Sequence, residues 1–121
     1  LVYIWIGIGG VMGALLRYSV SVVMDHGAAG GFPFATLFVN CLGCFLLPFL
    51  TEKVKGRIPV PIQKAITAGV IGSFTTFSAF SVEVITLIEA GRAASALLYI
   101  GLSIGGGLLF VRLGRKGAKA V

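Results

Sequence analysis

Between Gly69 and Val84 the sequence reads GVIGSFTTFSAFSVEV, and two kinds of chemistry are packed into it. Gly69 and Gly72 lie one turn apart and are followed by Ser73, Thr75, Thr76, Ser78 and Ser81. Glycine weakens a helix, and short hydroxyl side chains compete for its carbonyls. A helix can open at such a place, and unwound carbonyls at half-helix ends ligate small hard cations. The alternative is an unbroken helix whose hydroxyls bond back to the preceding turn. Phe77 and Phe80 are three apart and share a helix face, with Ser81 one turn beyond Phe77. An aromatic ring has a negative face and a positive edge. Two edges turned into a cavity attract a small anion without a formal charge; the alternative is packing against lipid or a neighbouring helix.

Other polar residues recur at helical spacing. Thr36 and Asn40 are four apart, as are Tyr99 and Ser103. An asparagine amide in an apolar setting must be hydrogen-bonded, either to a ligand such as an anion or to a neighbouring helix. Arg17 and Glu83 stand inside apolar stretches, where a charged group is expensive and marks a functional hypothesis. Arg17 can snorkel, or it can make a vestibule positive. Glu83 can be protonated, pair with a cation or accept hydrogen bonds. Cys41 and Cys44 form a CxxC without the context of a redox or zinc motif, so packing is the expected role. His26 has no partner in sequence. No catalytic triad, phosphate loop or zinc spacing is present, so no enzyme is expected.

The elements that must hold these residues follow from composition. Of 121 residues, 57% are hydrophobic and 12% charged, and the mean hydropathy is +1.03. So few charges cannot cover a soluble domain, which carries about twice that fraction. A single all-α membrane domain is expected, with spans at approximately 2–24, 32–50, 62–88 and 93–113. The first reads as a span rather than a signal peptide, having neither a charged leading region nor a cleavage pattern. DHGAAGGFP (Asp25 to Pro33) and TEKVKGRIPVP (Thr51 to Pro61) are loops, and Gly91 is placed to end a helix. Gly9 with Gly13, and Gly101 with Gly105, have the spacing that lets helices approach closely. A lone bundle of this size has a thin interior, so a pathway through it is narrow or forms between two copies.

Lys53, Lys55, Arg57 and Lys64 link spans two and three, and Arg112, Arg115, Lys116 and Lys119 follow span four. Both groups fall on one side of a four-span protein. The other side has Arg92 with Asp25 and Glu89. The positive-inside rule then places both termini in the cytoplasm. The basic charge sets orientation; nucleic-acid binding would need a folded soluble face.

GGVMGALLRY (Gly9 to Tyr18), FVNCLGCFLL (Phe38 to Leu47) and GSFTTFSAFSVE (Gly72 to Glu83) together resemble the Fluc (CrcB) fluoride channels. The likeness covers nearly the whole chain. It implies four transmembrane helices with a broken third helix, assembled as an antiparallel dimer in the plasma membrane with two narrow fluoride pores. It implies that the edges of Phe77 and Phe80 line the path and that Asn40 donates from its amide. Ser81, Thr36, Tyr99 and Ser103 look like the family's polar track, and Arg17 matches an arginine near the pore vestibule. A central structural sodium ion is implied, held by the main-chain carbonyls of Gly72 and Thr75 from both subunits. Fluoride would leave the cytoplasm passively. Two departures stand out: Pro48 replaces a common glycine, and the charge bias is strong for a chain that inserts both ways. The second subunit is therefore either an identical copy, paired despite the bias, or an oppositely oriented, non-identical chain. Rival readings are a small multidrug-resistance-type exporter of cations, which needs a carboxylate where span one has Arg17, and a non-conducting partner subunit.

Overall fold

A computed structural model describes residues 1–24 and 32–120. Asp25, His26 and most of the glycine-rich loop around them lie outside the described residues. Helix α1 spans Val2–Met24 and α2 spans Phe34–Val54. The third rod is composite. It has α3 (Val60–Lys64), a π-helical stretch (Ala65–Ile71), α4 (Gly72–Phe74) and, after Thr75 and Thr76, α5 (Phe77–Glu89). Helix α6 runs Ala93–Ala120. No strand occurs among the described residues. Four rods are long and apolar enough to cross a membrane: Val2–Met24, Phe34–Val54, Val60–Glu89 and Ala93–Lys119. The fold is all-α with a broken third helix, as the sequence predicts.

Helix ends follow local chemistry. Pro61 sits in the first turn of α3, where its missing N–H costs no hydrogen bond. At the end of α5, Gly91 has φ +77°. The Gly91 amide donates to the Ile88 carbonyl at 3.1 Å, and that of Arg92 to the Leu87 carbonyl at 2.8 Å. This double closure requires a left-handed residue, which glycine adopts without a side-chain clash. Helix α2 continues through Pro48.

Helix α1 packs along α3, the π-helical stretch and α4, while α2 packs along α6 and α5 leans on α6. Glycine makes the first of these contacts possible. A Cβ on Gly9 would land on the Ala65 carbonyl, and one on Gly69 would meet the Ile6 carbonyl. A Cβ on Gly13 would strike the Val70 carbonyl and Ser73 Oγ. On the other seam, Gly114 lies against the Phe45 carbonyl and Pro48, and Gly106 and Gly107 face Cys41 and Cys44. Both cysteines are free and half-buried, packed against a glycine surface. Gly101 and Gly105 meet nothing within 4 Å of an added Cβ. Their face is uncovered by the other described residues.

Few side chains are buried: Leu87, Ala96 and Tyr99 form a cluster with Phe32, Leu37, Phe80 and Val84 packed around it, and Ala35, Val39, Ala65, Ile71 and Phe74 are also buried. Only 11–22% of the most apolar window of each rod is buried within the chain. The remaining apolar surface must face lipid or another chain.

Candidate functional site

Polar groups from three rods meet at the break in the third. Thr75 (φ −87°, ψ 157°) and Thr76 (φ −154°, ψ 121°) are extended, so the helical ladder stops for two residues. Three side chains meet the groups this releases. The Asn40 Nδ2 donates to the Thr76 carbonyl at 3.1 Å, and the Thr76 amide donates to Asn40 Oδ1 at 2.8 Å. One side chain on α2 thus satisfies both backbone groups of one residue. Thr76 Oγ1 accepts the Ala79 amide at 3.1 Å and caps α5. On the other side, Arg17 Nε donates to the Ser73 carbonyl at 3.1 Å.

These bonds redirect two donors. In a continuous helix the amides of Thr76 and Ala79 would close onto the carbonyls of Gly72 and Thr75. Here they go to Asn40 and to the Thr76 hydroxyl instead. The preceding turn is altered too. The Gly72 amide reaches the Thr67 carbonyl across a π turn. Ser73 Oγ lies 2.8 Å from the Gly69 carbonyl and 2.7 Å from the Gly10 carbonyl of α1, with one proton to share between them. Ser73 thereby pins α1 to the start of the break.

Two cavities flank the break. The first, about 710 Å³, is lined by Asn40, Thr75, Thr76, Phe77, Phe80 and Ser103 near the break, and continues past Leu47, Pro48 and Ile104 to Glu52 and Arg115. The Phe77 and Phe80 rings are 5.7 Å apart and inclined at 32°. Phe80 leans on Tyr99 at 5.1 Å. Ser103 Oγ is buried and has no hydrogen-bond partner among the described residues. The second cavity, about 560 Å³, brings Arg17, Ser21, Thr36, Ser78 and Glu83 together, and shares Thr76 with the first.

Comparison with known proteins bears on this arrangement. Residues 4–115 match the family described as CrcB-like protein, Camphor Resistance (CrcB). The chain belongs to the CrcB-like family. Its relatives include the fluoride-specific ion channel FluC 2 of Geobacillus kaustophilus, 46% identical over 90% of this chain and 86% of the relative. The fluoride-specific ion channel FluC 1 of Bacillus cereus is 47% identical over 94% and 85%, respectively. FluC 2 of Listeria innocua is 44% identical over 94% and 88%. Family and apolar rods together make this a multi-pass membrane protein.

In this CrcB-like chain the candidate residues separate into groups. Asn40, Thr75, Phe77, Phe80 and Ser103 converge on the first cavity. Thr36 and Arg17 line the second. Ser81 Oγ donates to the Phe77 carbonyl at 3.1 Å, a bond within its own helix. Tyr99 is fully buried and its hydroxyl donates to Glu83 Oε1 at 3.2 Å. Ser81 and Tyr99 line neither cavity of the single chain. Phe77 is 78% exposed, so most of its surface is uncovered by the described residues. Sequence reasoning placed Ser73 and Thr76 among the hydroxyls near the break without separating their roles. A Ser or Thr a few residues ahead of a helical run is the ordinary sign of an N-cap, and Thr76 fits it. The contact of Ser73 with α1 has no local sequence signal.

Proposed function

We propose that the chain is the subunit of a passive, fluoride-selective channel rather than an enzyme, and that it assembles as an antiparallel dimer. One observation carries this reading: Asn40, Phe77, Phe80 and the unpaired Ser103 hydroxyl converge on one cavity beside the break. All can attract an anion without fixing a full positive charge at the constriction. The Asn40 amide has two hydrogens, and one is engaged by the Thr76 carbonyl. The other is left for an ion. Ser103 offers a buried hydroxyl, and the two rings offer positive edges. Fluoride is small and tightly hydrated, so a path must replace its water with several donors yet release it. A constriction between rings also bars larger anions. The names of the relatives support fluoride as the transported ion.

Thr36, Ser81 and Tyr99 extend the polar track beside this path, and Arg17 sets a positive vestibule through the second cavity. The uncovered Phe77 ring and the open Gly101–Gly105 face support a second subunit completing the pores. Relatives named FluC 1 and FluC 2 are consistent with a non-identical, oppositely oriented partner, which the charge bias favours. The whole 1–121 chain is then one four-span domain in the plasma membrane with cytoplasmic termini.

The donor set at the break fits a sodium ion. The carbonyls of Gly72 and Thr75 have lost their helical donors to Asn40 and Thr76, and Gly72 is exposed on the single chain. These hard oxygens would hold the ion, which would neutralise the carbonyl ends gathered between two subunits. Against a cation exporter, the carboxylate such a protein needs free, Glu83, accepts a hydrogen bond from buried Tyr99.

The test is fluoride efflux from liposomes, followed with a fluoride electrode while valinomycin balances charge. Wild type releases fluoride rapidly and chloride not at all, and Phe80→Ile abolishes the release. Well-folded protein with no flux would sink the self-sufficient homodimer and point to a second chain or a non-conducting role.

A further inference from the structure

The first cavity does not end at the break. Asn40 and Glu52 are both on α2, and Ser103 and Arg115 both on α6, each pair twelve residues apart. Each separation is about 18 Å of helix. The cavity thus extends along both helices from the polar constriction to a charged end, with Leu47, Pro48, Ile104 and Val111 between. Among the described residues, Glu52 and Arg115 are the only charged ones on its wall. Among the ten Lys and Arg of the chain, sequence position groups Arg115 with seven others as an orientation signal. The structure separates it from them by placing it on this wall. No ion pair or hydrogen bond ties Arg115 or Glu52 to another described residue. The five N–H donors of an uncommitted guanidinium and an uncommitted carboxylate therefore share one opening.

We propose that Arg115 and Glu52 form the charge-selecting mouth of the anion path. Arg115 raises the local anion concentration, and Glu52 offsets it so that an anion is not held at the opening. The proposal rests on the fluoride-channel reading. It differs from a general surface charge, because only a charge on the cavity wall lies within a few ångströms of every passing ion. A unit charge about 7 Å from an ion in water changes its local concentration roughly threefold. That effect persists at ~10 mM salt and is screened at ~1 M, where the Debye length falls to about 3 Å.

The experiment compares initial rates of fluoride efflux from liposomes, at subsaturating fluoride, in ~10 mM and ~1 M of a salt with an impermeant anion. Arg115→Ala is expected to slow efflux roughly threefold at ~10 mM and to match wild type at ~1 M. Glu52→Gln is expected to speed efflux by a similar factor at low salt, and Arg115→Lys to behave as wild type. Arg112→Ala removes an equal charge from the same helix end, off the cavity wall, and is expected to slow efflux by less than about twofold at ~10 mM. Arg115→Ala indistinguishable from a conducting wild type at ~10 mM would overturn the mouth and leave the channel reading intact. Equal slowing by Arg112→Ala would overturn it in favour of a diffuse surface potential. A wild type that passes no fluoride removes the self-sufficient channel reading, and this proposal with it.

Discussion

Asn40→Ala strikes at the link between folding and conduction. The substitution deletes two hydrogen bonds, at 3.1 Å and 2.8 Å, both to the backbone of Thr76. Part-buried at the break, the released N–H and C=O lose their fixed partners, and each group left unsatisfied costs about 1–3 kcal/mol. The variant has two ways out. It can keep the break and lose about 2–6 kcal/mol, or it can close the helix by returning the Thr76 amide to the Gly72 carbonyl. Closure requires Thr75 and Thr76 to leave their extended conformations. It would rotate α5 and carry Phe77 and Phe80 away from the cavity they share with Ser103. Either way fluoride flux is lost, and equilibrium unfolding in detergent shows a stability drop of at least about 2 kcal/mol unless the helix has closed. Hydrogen exchange at the Thr76 amide separates the two: rapid exchange marks an open break, slow exchange a closed helix. Asn40→Asp keeps the acceptor for the Thr76 amide and loses the donor to its carbonyl, so it falls between. An Asn40→Ala variant within ~0.5 kcal/mol of wild type, the scale of a surface change, that also conducts normally would refute the role given to this side chain.

Other expectations follow from the same geometry. Gly9→Ala drives a methyl group into the Ala65 carbonyl and is expected to cost about 1–3 kcal/mol in detergent unfolding. Gly101→Ala meets none of the described residues, so monomer stability is expected to hold or rise by up to about 1 kcal/mol; weakened dimerisation on cross-linking would show that a partner lies there. Thr76→Val removes the acceptor of the Ala79 amide and costs about 1 kcal/mol, with faster hydrogen exchange in the first turn of α5. Tyr99→Phe keeps the ring contacts with Phe80 and Phe32 and loses the donor to Glu83. It is expected to cost about 1–2 kcal/mol, and to be less than additive with Glu83→Gln.

What sequence could show depended on whether the cause was local. The four rods are local facts of hydropathy, whereas glycine and hydroxyl density near Gly72–Thr76 allowed either a break or an unbroken helix, and only the family resemblance favoured the break. The π-helical stretch was not legible, because the close approach of α1 through Gly9 and Gly13 is a tertiary condition. Ser81 shows the ambiguity of four-residue spacing: the same interval serves a polar track and a bond back to Phe77, and in the single chain it makes the second. Gly9–Gly13 and Gly101–Gly105 have identical spacing, yet among the described residues only the first pair meets another helix. Small residues state that something can come close without naming what. Arg115 was counted for its charge, and only three-dimensional placement sets it beside a cavity.

The clasp of Asn40 on Thr76 also fixes rotational phase. Helix α5 takes its azimuth from α2 and α6, while the rod before the break takes its own from α1 through Ser73 and the glycine contacts. The two halves of one span are thus indexed to different neighbours, like two gears on separate shafts. An inserted residue would turn a continuous helix by about 100° from that point onward. Here an insertion between Ala65 and Ile71 would be absorbed at Thr75, leaving Phe77 and Phe80 in phase with Asn40. The segment bearing the rings can therefore hold its aim while the segment ahead of it drifts in length and composition.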